Sequence, residues 1–289
     1  MAWSKAPVHW EDAQNHYYSI VFSWDLAAFL ETAQPEMDGK GTVIGGPAVE
    51  INKGLVPSWI STPTTTAPQL WRHNAEATRT TIGCVRRCKF CAVPTIEPVY
   101  RELKEWDVLP IITDNNLLAA STTHIDRVMD KLRHLRWCDF NQGLDARLLT
   151  KRHAEQLSRL KSPIIRMAFD SVKYETQFCR AIGLLMAEGI PKSAIRVYVL
   201  IGFDDTPEDA LYRLQLIMRF GLTPTPMRYQ PIDVIEKNAY VHPEWTNKEL
   251  DRFMSYYSNL RYTSAVPFEE YRHHGQSKMG QVSMMTDRG

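Results

Sequence analysis

The feature that most constrains the fold of this chain is a regular alternation of apolar strand patterns with amphipathic helix patterns after residue 78. Strands are predicted at 79–82, 108–113, 138–142, 164–169, 196–201 and 227–230. Helices are predicted at 99–105, 125–135, 151–160, 172–188, 207–220 and 247–260. Six strands, each followed by a helical stretch, predict an α/β fold with a parallel sheet, arranged as a barrel or an open barrel. In such sheets ligands bind at the carboxyl ends of the strands, so the residues after each strand are the candidate site.

The residues before this region predict a smaller unit. A strand at 17–24, a short helix from Asp25 to Leu30 and a strand at 41–46 read as one parallel βαβ unit. A segment rich in proline and threonine follows at 61–68. We therefore divide the chain into an N-terminal βαβ segment at 1–60, a linker at 61–75, a core at 76–265 and a C-terminal tail at 266–289. We expect the N-terminal segment to cover an open sheet edge, with Phe22, Trp24 and Ile44 buried.

Composition limits the compartment and the partners. The chain has 289 residues and a formal net charge of +1, so no global attraction draws it to nucleic acid or membranes. A nucleic-acid partner stays open but is not indicated by charge. No apolar run approaches the ~20 residues that a membrane span needs, and the N-terminus lacks the apolar region of a signal peptide. Five cysteines, an odd and low number, suit a reducing compartment, so we expect a cytoplasmic protein.

Three cysteines lie close together after the first predicted strand of the core. Cys84, Cys88 and Cys91 have the spacing C-x3-C-x2-C, and the next cysteine, Cys138, stands alone. Three thiolates on one loop can hold three irons of a cubane iron–sulfur cluster and leave the fourth iron open for chemistry. A structural zinc site, the alternative, normally takes four ligands. A disulfide would leave one of the three thiols unpaired.

The run from Gly83 to Cys91, with Phe90 just before the last cysteine, resembles the signature loop of the radical S-adenosylmethionine (radical SAM) superfamily. The resemblance implies a [4Fe–4S] cluster on Cys84, Cys88 and Cys91, with SAM chelating the open iron. It implies reductive cleavage of SAM to a 5′-deoxyadenosyl radical that abstracts hydrogen from a substrate. It also implies a partial (βα)6 radical SAM barrel, which agrees with the strand count, and a position for Phe90 near the adenine.

The resemblance assigns further SAM contacts to residues at strand ends. Asp114, Asn115 and Asn116 follow the second strand, where relatives hold the amino group of SAM; the alternative is a polar turn. The residues assigned to SAM are Phe90, Asp114, Asn115, Asn116, Gln142, Asp170, Ser171 and Gly202.

Each of the later strand ends also has a second interpretation. Gln142 is expected to reach SAM, whereas nearby Asp145 and Arg147 bind SAM or substrate, or form an ion pair within a surface turn. Asp170 resembles the ribose contact of the family, and either Asp170 or Ser171 can instead cap the next helix. The glycine at 202 resembles the adenine-side turn of the family. Beside the cysteines, Arg86, Arg87 and Lys89 offset cluster charge, attract an electron donor, or form a solvated basic loop.

The N-terminal segment resembles the second half of the cobalamin-binding domain that precedes the barrel in one radical SAM subgroup. It is too short for the whole domain, and neither His9 nor His16 has the sequence context of the cobalt ligand, so we expect no cobalamin. The predicted function is radical SAM chemistry on a small-molecule or nucleoside-type substrate, including nucleic-acid bases and amino-acid-like compounds. The expected electron donor is a protein such as flavodoxin or ferredoxin. The alternatives are a radical methyltransferase and a non-catalytic iron–sulfur or zinc-binding protein.

Overall fold

The computed structural model describes residue 3 and residues 7–35, 39–62 and 70–272. Its strands are β1 (Val8–Glu11), β2 (Asn15–Ser19), β3 (Gly41–Gly45), β4 (Ala77–Thr78), β5 (Thr81–Ile82), β6 (Arg101–Glu102), β7 (Ile111–Ile112), β8 (Cys138–Phe140), β9 (Pro163–Ala168), β10 (Ile195–Ile201) and β11 (Thr223–Arg228). Its helices are α1 (Ser23–Thr32), α2 (Pro47–Ile51), α3 (Leu70–His73), α4 (Val93–Ile96), α5 (Thr122–Leu132), α6 (Lys151–Ser158), α7 (Glu175–Ala187), α8 (Pro207–Arg219), α9 (Asn247–Tyr257) and α10 (Leu260–Ala265).

A six-stranded parallel sheet carries the larger part of the chain. Its order is β4-β7-β8-β9-β10-β11, so neighbours in the sheet are also successive strands of the predicted α/β alternation. Helices α5, α6, α7 and α8 lie between successive strands. The predicted α/β class with a parallel sheet is therefore confirmed. Because all six strands run the same way, their carboxyl ends meet at one edge.

The first predicted strand and the first predicted helix of this region are wrong in detail. Only Ala77 and Thr78 join the parallel sheet, and Thr81–Ile82 instead pair antiparallel with Arg101–Glu102. The amide of Leu103 continues this ribbon by donating to the carbonyl of Thr80 at 2.8 Å. The local pattern predicts a helix at 99–105, but these long-range backbone bonds make residues 101–103 extended instead.

The last strand begins four residues earlier than predicted, and two prolines in its first half make that part look unlike a strand in the sequence. Pro224 and Pro226 lie inside β11 and have no amide hydrogen to donate. They stand at alternate positions, so the missing donors fall on one side of the strand. This strand is the outermost one of the sheet, where that side needs no partner strand.

The apolar core lies between the sheet and its helices. Alternate residues of β10 (Ile195, Val197, Val199 and Ile201) are fully buried, whereas Arg196 between them is exposed. The buried series packs in one cluster with apolar residues of the helices that connect the strands. Among the described residues, no helix is both long enough and apolar enough to span a membrane.

The N-terminal unit is a three-stranded sheet in the order β1-β2-β3. The predicted βαβ unit is present as β2, α1 and β3, with β2 and β3 parallel, and β1 adds an antiparallel strand that the sequence did not predict. Ile44 is buried as expected, but Phe22 is 50% exposed and Trp24 is half-buried. Phe22 precedes α1 and stacks on Trp24 at 4.8 Å, so both rings lie outside the small core beneath the helix.

This unit touches the chain next to both outer strands of the large sheet. Ser19 Oγ lies 2.8 Å from His73 Nε2, just before β4, and Ser23 Oγ donates to the carbonyl of Ile232, after β11, at 2.6 Å. These contacts put the N-terminal unit beside the first and the last strand. Residues 63–69 of the predicted linker and 273–289 of the predicted tail lie outside the described residues, and the division into domains stays a prediction.

Candidate functional site

The cysteine loop lies between β5 and α4, after the first strand of the parallel sheet. Cys84, Cys88 and Cys91 are half-buried and form no disulfide. The sulfur of Cys84 accepts from the Arg86 amide at 3.3 Å, and that of Cys91 accepts from the Val93 amide at 3.5 Å. These backbone donors already point at sulfur atoms, as they do around thiolate ligands of iron–sulfur clusters.

The thiols of the loop are shielded from water. Burial raises the pKa of both Cys88 and Cys91, and interactions with the neighbouring loop cysteines act in the same direction. Arg147 opposes this at Cys88 through its charge and a hydrogen bond. Metal binding requires thiolates, so ligation here would release protons.

The two other cysteines are unlike these three. Cys138 lies in β8 with 1% of its surface exposed, and burial raises its pKa to about 12. Cys179 lies within α7. A free cysteine in such a position behaves as a small apolar side chain.

Asn116, after β7, reaches the cysteine loop directly. Its side chain is buried, and Nδ2 donates to Cys84 Sγ at 3.6 Å and to Asp145 Oδ2 at 3.3 Å. Its Oδ1 is buried without a hydrogen-bond partner in the described part of the chain. A buried carbonyl oxygen without a donor, beside a candidate ligand, marks a place for a donor group that the protein does not supply.

The two residues before Asn116 have other partners. Asp114 is buried, and its carboxylate accepts from the Thr80 amide and hydroxyl, both at 2.6 Å, and from the Thr81 amide at 2.7 Å. Burial raises the pKa of Asp114 although these hydrogen bonds oppose it. Asn115 donates to Glu97 at 2.7 Å. The structure thus brings one of these three predicted SAM contacts to a cysteine.

A charged cluster follows β8. Asp145 accepts from Arg147 Nε at 2.7 Å and from Arg86 Nε at 3.1 Å, so the ion pair that the sequence left as an alternative is present. Burial raises the pKa of Asp145, but Arg147 and Arg86 outweigh it and lower that pKa overall. Gln142 is exposed, and in the described structure its side chain takes no part in these hydrogen bonds. Two arginines and one carboxylate therefore leave a net positive charge beside the cysteines.

The ends of β9 and β10 bring further predicted residues to the same edge. Asp170 Oδ1 accepts from the Leu200 amide at 2.9 Å, and its charge acts on both Cys88 and Cys91. Burial raises the pKa of Asp170. Ser171 Oγ accepts from the Lys173 amide at 3.3 Å, which is the capping role given as the alternative.

An aromatic contact joins the cysteine loop to the end of β10. Phe90 packs edge-on against Phe203 with ring centroids 5.5 Å apart. Gly202, just before Phe203, has φ +78°, and a Cβ there would lie 2.9 Å from a methyl carbon of Leu250. The positive φ favours glycine at this turn, whereas the Leu250 methyl group, at the end of a flexible side chain, could move aside.

The sequence did not reveal two residues that hold this edge together. Arg213 is fully buried in α8 and donates to the carbonyls of Phe169 (2.9 Å) and Leu200 (3.0 Å), at the ends of β9 and β10. It also pairs with Asp205, which accepts from the Gly202 amide at 2.9 Å. The available signal was an arginine on the apolar face of a helix. The second residue, Glu97, follows α4 and shows no signal beyond its nearness to the cysteines.

Comparisons with known proteins give a partial likeness. No protein-family model and no curated protein matches the sequence. One similar structure is the radical SAM methyltransferase TsrM from Kitasatospora setae, with cobalamin and a [4Fe–4S] cluster bound. The TM-score is 0.43 at 16% identity, over 55% of this chain and 38% of TsrM. That neighbour is a radical SAM enzyme.

A second similar structure is SuiB from Streptococcus suis, with a TM-score of 0.36 at 11% identity. The match covers 54% of this chain and 37% of SuiB. The chain thus spans less than two fifths of the length of either protein. Likenesses this slight carry no functional argument, so the link to the radical SAM superfamily rests on the cysteine loop and its place in the sheet.

The residues present fit an iron–sulfur cluster in donor chemistry. Within the described ranges, no three His, Cys, Asp or Glu side chains are already arranged as ligands of a metal ion. The loop nevertheless offers three free thiols that interact electrostatically, backbone donors to two sulfurs, and the buried unpartnered Oδ1 of Asn116 beside Cys84. Three thiols on one loop are the ligands that a cubane cluster with one open iron would take.

Proposed function

We propose that this chain is a radical SAM enzyme in which Cys84, Cys88 and Cys91 hold a [4Fe–4S] cluster. The observation that supports this most is the position of the C-x3-C-x2-C loop, which comes five residues after the first strand of a parallel sheet, with only the short strand β5 between them. We take this sheet to be the partial (βα)6 barrel of the superfamily. When bound, the cluster and SAM supply one-electron chemistry that releases a 5′-deoxyadenosyl radical for hydrogen abstraction.

In this proposal Asn116 binds the amino group of SAM. The support is its buried, unpartnered Oδ1, which can accept a hydrogen bond from an ammonium group, and its contact with Cys84. Asp114 fastens the turn at Thr80 and Thr81 and acts on SAM only through the position of that turn.

The remaining SAM contacts are proposed for residues at the other strand ends. Asp170 binds the ribose hydroxyls, for which its Oδ2 stays available while Oδ1 accepts from the Leu200 amide. Phe90, together with Phe203 and the turn at Gly202, flanks the adenine and excludes water from it. We also propose more distant contacts with SAM from three residues, on the sole ground that each lies at a strand end: Asn115, Gln142 and Ser171.

The charged groups near the loop set its electrostatics. A thiolate-ligated cluster carries negative charge, which Arg86 and Arg147, both paired with Asp145, can offset. Arg87 and Lys89 are exposed on the same loop. We propose that this exposed charge meets an acidic electron donor of the flavodoxin or ferredoxin kind.

We propose a small-molecule or nucleoside-type substrate, whose unactivated C–H bonds a radical of this type can attack. We propose a cytoplasmic location because the five cysteines of the chain suit a reducing compartment. Radical methylation is the second candidate. It is favoured by one observation, the parallel βαβ unit of β2, α1 and β3 before the sheet.

Reductive cleavage of SAM tests the proposal. Anaerobically reconstituted protein with a strong reductant and SAM should form 5′-deoxyadenosine and methionine, slowly in the absence of substrate. Cys88→Ala should abolish the product, whereas Cys179→Ala, a substitution in α7, should leave it unchanged. Reconstituted wild-type protein that binds iron but forms no 5′-deoxyadenosine would leave a non-catalytic iron–sulfur protein as the better description.

A further inference from the structure

One carboxylate accepts hydrogen bonds from several segments around the cysteine loop. Glu97, six residues beyond Cys91, has 19% of its side chain exposed. Its Oε1 accepts from Arg79 Nη1 at 2.6 Å. Its Oε2 accepts from Arg79 Nη2 at 2.5 Å, from the Gly83 amide at 3.0 Å and from Asn115 Nδ2 at 2.7 Å. Hydrogen bonds to an ionised carboxylate, and bidentate pairs with arginine above all, are the strong ones.

The three donors belong to different parts of the site. Arg79 directly follows β4, the first strand of the parallel sheet. Gly83 is the residue before Cys84, so it fixes where the cysteine loop begins. Asn115 is followed by Asn116, whose Nδ2 contacts Cys84 Sγ at 3.6 Å. The carboxylate therefore ties the start of the loop to the strand end that touches its first thiol.

The backbone is closely packed where the cysteine loop begins. Gly83 has φ +74°, and a Cβ at that residue would lie 2.6 Å from the carbonyl oxygen of Val99 and 2.9 Å from that of Glu97. The two ends of the segment that carries the cysteines are thus in backbone contact. A shift of the Glu97 side chain would move the first residue of the loop.

We propose that Glu97 is a positioning residue for the iron–sulfur cluster, an inference that rests on the proposed function. Its carboxylate fixes Gly83 and Asn115, and through them the orientation of Cys84 and the Asn116 side chain beside it. Groups that orient metal ligands in this way typically change metal affinity by about 10- to 100-fold when they are removed. A purely structural ion pair would instead lower stability without a selective effect on the cluster.

A matched ion pair elsewhere in the sheet separates these two roles. Asp139 accepts from Arg166 Nε and Nη2, both at 2.6 Å, and joins β8 to β9. The Asp139 and Arg166 side chains are 8% and 23% exposed, against 19% and 18% for Glu97 and Arg79, so each pair is less than a quarter exposed. No hydrogen bond in the described structure joins this pair to the cysteine loop. Asp139→Asn is therefore the control for Glu97→Gln.

The test compares wild type, Glu97→Gln and Asp139→Asn, reconstituted anaerobically without SAM. Urea unfolding of the apo proteins reports stability, a chelator titration reports iron retention, and electron paramagnetic resonance of the reduced cluster reports its environment. We expect similar stability losses in both variants. Only Glu97→Gln should hold iron about tenfold more weakly, with shifted g values. Asn115→Ala, which keeps the ion pair, should change both readouts in the same direction but less.

The contrary outcomes are distinct. If Glu97→Gln and Asn115→Ala hold iron as the wild type does, or if Asp139→Asn loses it equally, the positioning role is wrong while the proposed function stands. A Glu97→Gln protein that does not fold leaves Asn115→Ala to decide in the same way. If the wild type itself takes up no cluster, the proposed function and this role fail together.

Discussion

Replacing Arg213 by methionine should strongly destabilise the protein. The Arg213 side chain is fully buried, pairs with Asp205 and donates to the carbonyls of Phe169 and Leu200. Burial lowers its pKa, and Asp205 is the main opposing influence. Methionine fills a similar volume, but it leaves Asp205 as a buried charge without its ion-pair partner. Breaking a buried pair in this way costs about 3–5 kcal/mol.

Urea unfolding at neutral pH measures this loss, with Arg152→Met as the control. Arg152 pairs with Asp126 at 2.6 Å, but its side chain is 57% exposed, and such pairs contribute about 0–1 kcal/mol. The double variant Arg213→Met with Asp205→Asn should recover part of the loss, because it removes the unpaired charge. A loss of less than about 1 kcal/mol in Arg213→Met would refute the reasoning that this ion pair holds the strand ends.

Three further predictions concern the loop, SAM and cobalamin. Gly83→Ala should lower the melting temperature and weaken iron retention, because the added Cβ would lie 2.6 Å from the Val99 carbonyl oxygen. The control is Gly183→Ala, at an exposed helix position with open space around it, where alanine should raise the stability by about 1 kcal/mol. Asn116→Ala should weaken SAM binding in equilibrium titrations of protein loaded with a full cluster, and unaltered affinity would remove Asn116 from the site. Reconstitution with hydroxocobalamin and desalting should leave no corrinoid absorbance, since the described N-terminal sheet has only one βαβ unit; a stoichiometric corrinoid would make radical methylation the first candidate.

Most strands and helices of the large sheet were predictable because each has a local pattern of apolar residues in the sequence. β10 is a run of seven residues in which only Arg196 is charged, which is enough to predict a strand, and Val197 and Val199 are buried in the structure. The segment at 99–105 has a helical pattern of the same kind, yet its residues 101–103 are extended. Its partner is the segment at Thr80–Ile82, and pairing across such a distance leaves no local trace in the sequence.

The candidate ligands of the site can be read from the sequence, whereas the side chains that hold the surrounding segments cannot. The spacing of Cys84, Cys88 and Cys91 is local, so the sequence alone displays it. Glu97 and Arg213 act on residues 8 to 44 positions away, through side-chain directions that only the assembled sheet fixes.

Neighbouring residues at one strand end have different hydrogen-bond partners for the same reason. Asp114, Asn115 and Asn116 are equivalent in sequence, but they face Thr80, Glu97 and Cys84 respectively. The sequence marks the strand end as a site, and the backbone turn decides which side chain reaches the cysteine. Local pattern therefore predicts where such a site lies better than which of its residues act.

The most direct test of the central claim is the iron and sulfide content of anaerobically reconstituted protein. Wild type should hold about four irons and four sulfides per chain, with the spectrum of a single cubane cluster. Cys84→Ala, Cys88→Ala and Cys91→Ala should each lose it, whereas Cys138→Ala and Cys179→Ala should keep it. A full complement of iron and sulfide in all three loop variants, or one tightly bound zinc and no sulfide in the wild type, would contradict the assignment.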